Sequence, residues 1–318
     1  MKRLSQSLCI IFILLNIFIV TACNARQEKS EKTEEFQIVT SFYPMYVFTK
    51  NITEGIDGVA VYNLTKPQTG CLHNYQLLPE DLKTLNRADV FVINGAGMES
   101  FMDKVVESLP GLDVIEASEG IPLLPSEENE VRTDAHSHLH EEGAYNSHVW
   151  LSPPYAAKEI QNIAKGLSQA DPAHAQQYRD NADAYAERIL KIWAEVKTEL
   201  SAYRGESIII SHEAFDYLAQ ELAISVAGTV RSDENTEPTA KVMSELIAAA
   251  REKGIKGIFA EPQYPQTALQ TISRETGISI YTLDPMVTGD AEYLEVYENA
   301  MTKNASVLKE AFDRGAEE

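Results

Sequence analysis

From residue 36 onward the hydrophobic positions fall into two alternating patterns. Short apolar, β-branched runs at Gln37–Ser41, Val59–Leu64, Asp89–Ile93 and Asp113–Ile115 predict strands, and Met45–Glu54, Pro79–Ala88 and Glu99–Leu109 carry helical spacing between most of them. The alternation restarts after Gly205. Ser207–Ile210, Ile224–Gly228, Gly257–Ala260 and Ser279–Leu283 read as strands, with helices at Ala214–Leu222, Thr239–Lys253, Gln266–Thr276 and Tyr293–Phe312. Strands separated by helices run parallel, with the helices covering the sheet faces. The chain therefore reads as α/β with two similar lobes, 36–170 and 205–318, each a parallel sheet with covering helices.

Between the lobes, 171–204 predicts one long helix. Asp171-Pro172 supplies the start signal, and Tyr178, Ala182, Tyr185, Ile189, Ile192, Val196 and Leu200 recur at three- and four-residue steps, the spacing of one buried face. Ala173–Leu200 would be about 40 Å long, enough to act as a rigid strut joining the lobes. One segment fits neither lobe. Residues 125–147 hold six acidic residues, one arginine and the alternating histidines His136, His138 and His140. A loop of this length without structure of its own is usually functional or disordered, and a His-rich acidic tract is a compositional sign of metal contact.

The first 22 residues have a different pattern. Lys2-Arg3, an apolar run from Leu8 to Val20, then Thr21-Ala22 before Cys23 make a secretory signal, too short for a comfortable membrane span. Val20-Thr21-Ala22-Cys23 resembles the bacterial lipobox, which implies cleavage before Cys23 and lipidation of its thiol. Two or more acyl chains hold a protein stably on a membrane surface. Residues 23–35 then read as a flexible tether, about 20 Å in span. Cys9 leaves with the signal and Cys23 is acylated, so only Cys71 remains of three cysteines and no internal disulfide can form.

Charge narrows the partners. The 318 residues include 48 acidic and 27 basic side chains, a formal charge of −21; loss of the signal removes two basic residues and no acidic one, giving −23. A nucleic-acid binder needs a basic footprint, so nucleic acid is excluded as a partner. A strong negative field favours a cationic partner such as a metal ion.

Of seven histidines, three lie in the acidic loop and His174 reads as a surface residue of the long helix. The other three are placed alike. His73 follows the Val59–Leu64 strand and its Thr69-Gly70-Cys71 turn, His148 closes the acidic loop, and His212 lies just past the Ser207–Ile210 strand; Asp284 closes the last strand of the second half. In open α/β sheets, ligands bind at the carboxyl ends of strands. Each position also has a plain structural reading, a helix cap for Asp284 or a buried hydrogen-bonded histidine for His212. Together they propose a metal site in the interlobe cleft, three imidazoles and one carboxylate, a set suited to zinc rather than to calcium or magnesium. Which strand ends converge is not written in the spacing.

A series of motifs in one order is informative here: Thr40-Ser41-Phe42-Tyr43-Pro44-Met45, Gly70-Cys71-Leu72-His73-Asn74-Tyr75, His148-Val149-Trp150-Leu151-Ser152-Pro153, Ser211-His212-Glu213-Ala214-Phe215, Glu237-Pro238-Thr239, Phe259-Ala260-Glu261-Pro262 and Leu283-Asp284-Pro285. From about Ile38 to the carboxyl terminus they resemble the solute-binding lipoproteins of bacterial zinc and manganese ABC transporters, a family with two α/β lobes joined by one rigid helix. The resemblance implies His73, His148, His212 and Asp284 as metal ligands and a secondary, ion-gathering role for His136, His138 and His140. Manganese-preferring members resemble this chain but carry glutamate at the third position, so His212 implies the zinc-type arrangement, with Mn²⁺ or iron as alternative cargo. The family commonly has an acidic residue and a proline where this chain has Cys71-Leu72, and glutamate where it has Gln76. Cys71 is thus either a small buried side chain near the site or an additional thiolate ligand.

The expectation is a monomeric, lipid-anchored, extracytoplasmic zinc-binding protein, not an enzyme, that delivers Zn²⁺ to a membrane permease and ATPase pair. A metal-dependent hydrolase is the rival, with three protein ligands, an open zinc position and the near-site Glu213, or Glu261, as base; no His-Glu-x-x-His helix or nucleophile elbow supports it. A surface adhesin or stationary metal buffer on the same fold is a second rival.

Overall fold

A computed structural model describes residues 35–65, 72–126, 145–230, 237–289 and 294–315. The leader with Cys23, the tether but for its last residue, Cys71, and His136, His138 and His140 lie outside the described residues.

The first lobe runs β1 (Phe36–Thr40), α1 (Tyr43–Ile52), β2 (Val59–Asn63), α2 (Pro79–Leu85), β3 (Val90–Ile93), α3 (Met102–Ser108) and β4 (Asp113–Glu116). Two helices follow, α4 (Pro153–Ala170) and α5 (Ala175–Glu199), the latter continued by a 3-10 turn over Leu200–Tyr203. The second lobe comprises β5 (Ser207–Ile210), α6 (Asp216–Leu222), β6 (Ser225–Thr229), α7 (Ala240–Glu252), β7 (Gly257–Ala260), α8 (Thr267–Thr276), β8 (Ile280–Thr282) and α9 (Val296–Arg314). Both sheets have four strands and every pair is parallel, in the orders β2-β1-β3-β4 and β6-β5-β7-β8. These are one topology written twice, and in each, one of the two interior strands is wholly apolar and buried: Val90–Ile93 in β3 and Gly257–Ala260 in β7. Such runs are what a sheet covered on both faces requires.

The long helix has the expected face. Tyr178, Ala182, Tyr185, Ile189 and Val196 are buried on it, with Trp193 added and Ile192 only partly covered. At 1.5 Å per residue its 25 residues span about 37 Å. It packs on α1 and α4 of one lobe and on α9 of the other, and Arg188 ties both sides, donating to Asn51 Oδ1 in α1 at 2.9 Å and to Glu298 Oε1 in α9 at 3.3 Å. One apolar cluster therefore continues through both lobes, while α7 and α8 cover a second cluster around Ile209 and Ile258.

Helix α4 is not among the expected elements. Ser152 caps it, with Pro153 and Pro154 in the first turn, where their missing N–H groups cost nothing. Its buried face, Ala156, Ala157, Ile160, Ile163, Ala164 and Leu167, is rich in alanine. Small side chains let it approach the sheet closely: a Cβ on Gly166 would meet Ile115 Cδ1 at 2.6 Å.

Candidate metal centre

Loops at the carboxyl ends of the strands carry the site. His212 follows β5 in extended conformation and opens a 3-10 turn, Glu213–Phe215. His148 opens a second turn, Val149–Leu151. His73 is held through its neighbour Leu72, which is fully buried; the Leu72 N–H donates to Met98 Sδ at 3.5 Å, and its carbonyl accepts from Ser100 Oγ at 3.4 Å.

The three imidazoles converge. His73, His148 and His212 each offer a ring nitrogen, and these lie within 4.8 Å of one another. Ring centroids are 4.8 Å apart for His148 and His212, 5.3 Å for His73 and His148, and 6.2 Å for His73 and His212. His148 and His212 are buried and His73 half-buried. Burial is the main reason the His148 imidazole titrates well below the usual histidine range, with His212 and His73 adding to it. A neutral ring with a free lone pair is the ligand form.

Asp284 stands outside that 4.8 Å group. It follows β8, its backbone held by Asn304 (N–H to Oδ1 at 2.8 Å, Nδ2 to the carbonyl at 2.9 Å), and its Oδ1 accepts from the Met286 N–H at 2.8 Å. Glu213, expected near the site, is buried with its carboxylate accepting from Ser126 Oγ at 2.9 and 3.1 Å. His174 is a helix-start residue, its Nδ1 2.6 Å from Asp171 Oδ2.

Glu261, named from the sequence only as a rival hydrolase's base, and three residues the sequence reading passed over complete the surroundings. Glu261, fully buried, accepts from Ser211 Oγ at 2.9 Å and places Oε1 3.8 Å from His212 Nδ1. Tyr264 packs edge-on to His212 at 6.0 Å. Asn146 bonds to His148 twice. Glu99 braces the loop that supports two of the histidines: its carboxylate accepts from Ser41 Oγ and from the Asn94 and Gly95 N–H groups, at 2.7, 2.8 and 3.0 Å, while Asn94 Nδ2 donates to the Ser147 carbonyl beside His148 at 3.0 Å. Burial pushes the Glu99 carboxyl up to about 7 despite those donors. An Asn two residues before a candidate ligand histidine was the available signal for Asn146; nothing local marks Glu99.

Three imidazole nitrogens suit a borderline transition metal, and the Glu261 carboxylate, 3.8 Å from His212 Nδ1, can offset part of the charge of a divalent ion in a buried setting.

Comparison with known proteins agrees with this geometry. Residues 38–311 match the family described as "Zinc-uptake complex component A periplasmic". The chain is 28% identical to the zinc-binding lipoprotein AdcA of Streptococcus pneumoniae over 324 residues, 99% of this chain but 62% of AdcA, so it spans under two thirds of that relative's length. It is 30% identical to the iron-binding protein YfeA of Yersinia pestis over 267 residues, 83% of this chain and 82% of YfeA. The solute-binding protein FpvC of Pseudomonas aeruginosa, solved with Ni²⁺, superposes with a TM-score of 0.75 at 29% identity, covering 88% of this chain and 97% of FpvC. The hydrolase rival thereby loses its footing. With two parallel four-stranded lobes, a histidine triad at their strand ends and a match over 38–311, the chain belongs to the zinc-uptake component A family, whose members are solute-binding transport proteins and not enzymes.

Proposed function

We propose that this protein is the extracytoplasmic metal-binding component of an ABC importer, with Zn²⁺ as its cargo. The convergence of His73, His148 and His212 within 4.8 Å carries the reading. Asp284 is the fourth ligand, supplying from the second lobe the anionic oxygen that tetrahedral zinc sites accept. Capture closes the two lobes around the ion. The helix α5, packed on both lobes, restricts that movement to small tilts and loop rearrangement. Lipidation at Cys23 holds the chain at the outer face of the membrane, the 125–147 loop gathers ions through its charge and His136, His138 and His140, and the ion passes to a permease and ATPase. The likeness to AdcA supports zinc.

Iron, manganese or nickel cargo is the second reading, favoured by the likeness to YfeA and FpvC. Zinc binds most such sites more tightly than manganese or iron does, so affinity order alone does not choose. Metal analysis of the full chain purified without added metal, followed by competition among Zn²⁺, Mn²⁺ and Fe²⁺, tests both. Zinc at one equivalent, displaced only by large excesses of the others, is expected. A protein purified with manganese or iron, coupled to growth of a deletion strain that fails only when that metal is scarce, overturns the zinc assignment.

A further inference from the structure

The geometry points to Asn146 as the positioning residue that sets which nitrogen of His148 faces the metal and that locks this ligand to the turn carrying His212. The inference rests on the triad reading above but concerns a residue outside it.

Asn146 is fully buried and all of its polar atoms are used. Its side-chain Nδ2 faces two oxygens, the Glu213 carbonyl at 2.8 Å and Asp216 Oδ2 at 3.1 Å. Both are acceptors, so the amide nitrogen must be the group that points there. Its Oδ1 lies 2.9 Å from the His148 backbone N–H, a donor, which fixes the other end of the amide in the same sense. The same Oδ1 lies 2.9 Å from His148 Nδ1. An amide oxygen cannot donate, so Nδ1 carries the proton and the Nε2 lone pair is left for the metal. The tautomer follows from acceptors on one side and a backbone donor on the other.

The backbone of Asn146 is held as firmly. Its N–H donates to the Leu124 carbonyl at 2.8 Å, and its carbonyl accepts from Tyr217 Oη at 2.7 Å, the same hydroxyl that accepts from the Leu124 N–H at 3.0 Å. Glu213 and Tyr217 belong to the second lobe, and Glu213 directly follows His212. One side chain therefore spans from the ring of the second ligand to the peptide next to the third. Partners that orient a ligand histidine in this way typically cost about 10–100-fold in metal affinity when removed.

The test compares four full-length variants with the parent by chelator competition for Zn²⁺, together with ¹⁵N spectra of the histidine rings in the metal-free parent. Asn146→Ala is expected to weaken binding by about 10–100-fold and to leave His148 a mixture of tautomers. Asn146→Asp with Asp216→Asn reverses the polarity of the bond to residue 216 and keeps Oδ1 on His148 but leaves the Glu213 carbonyl without its donor, so it is expected to recover only part of the affinity lost in Asn146→Asp. Asn146→Asp alone sets a carboxylate against Asp216 and is expected to fall between them. His148→Ala is the control for the triad. Unchanged affinity in His148→Ala sinks the triad reading itself. A large loss there with less than about a threefold change in Asn146→Ala, or a folded double variant that binds no tighter than Asn146→Asp, overturns the role of Asn146 alone. If Asn146→Ala does not fold, the parent spectra still decide: a His148 ring protonated on Nε2 in the metal-free protein overturns the inference.

Discussion

The indole N–H of Trp150 donates to the carbonyl oxygen of Pro285 at 2.9 Å. Trp150 lies two residues after His148 and Pro285 directly after Asp284, so this bond joins the turn of the second proposed ligand to that of the fourth. The ring is fully buried, edge-on to Phe42 at 5.1 Å and tilted on His148 at 5.2 Å, and the Trp150 carbonyl accepts from Tyr297 Oη in α9 at 2.7 Å.

Replacing Trp150 by Phe keeps an aromatic in the pocket but leaves the Pro285 carbonyl buried without its donor. A loss of about 1–3 kcal/mol in folding stability is expected, with weaker zinc binding from a looser Asp284 loop. Urea denaturation and chelator competition measure the two effects. An unchanged urea midpoint and affinity would mean that water replaces the indole at no cost.

Ligand removal should separate binding from folding. His73 is only half-buried, so His73→Ala is expected to unfold near the parent's temperature without metal. It should lose most of the rise in Tm on adding zinc, which for a tight site at 100 times Kd is worth about 2.7 kcal/mol. Calorimetric scans with and without metal check this, and a full metal-induced rise in the variant would remove His73 from the ligand set.

Glu159 in α4 is fully buried with no hydrogen-bond partner for either carboxylate oxygen among the described residues. Burial, with the Glu99 charge adding, holds its carboxyl well above the usual range. The folded state therefore keeps a proton that the unfolded chain gives up above pH about 4.3, and stability falls as pH rises through that window. Glu159→Gln should equal the parent in stability near pH 4 and exceed it increasingly as the pH rises toward 8, as read from denaturation midpoints against pH. A pH-independent difference would contradict the argument.

Gly95 has φ +80°, and a Cβ there would meet the Glu116 side chain at 2.3 Å. Because the loop it opens carries Glu99 and supports Leu72 and Ser147, Gly95→Ala is expected to cost about 1–3 kcal/mol and to weaken zinc binding together. A destabilised variant with parental affinity would uncouple that loop from the site.

Ser126 and Asn146 anchor the two stems of the acidic loop on the second lobe, and Pro125 pairs with Tyr145. Replacing residues 127–144 with a short glycine linker should leave tight-site affinity intact and slow association most at low salt, where the loop's field reaches farthest. Stopped-flow rates across ionic strength test it; loss of the tight site would end that division of labour.

Much of this molecule is local, and the chain states it directly. Buried parallel strands need continuous apolar runs, so β3, β5 and β7 stand out, and a long helix packed along one side must repeat its apolar residues at 3.6, as Tyr178 to Val196 do. The position of a histidine relative to a strand end is equally local, which is why His212 and Asp284 could be named as candidates. Helix α4 was equally legible, since Ala156, Ile160, Ile163, Ala164 and Leu167 recur at three- and four-residue steps behind Ser152 and two prolines, and the sequence reading passed over it. Only the tertiary structure decided that three strand-end histidines from separate parts of the chain meet within 4.8 Å while Asp284 does not, because that depends on how two lobes seat on α5. It also decided the proton on His148, since a tautomer is set by what the other nitrogen faces, and Asn146 is fixed there by acceptors some seventy residues away.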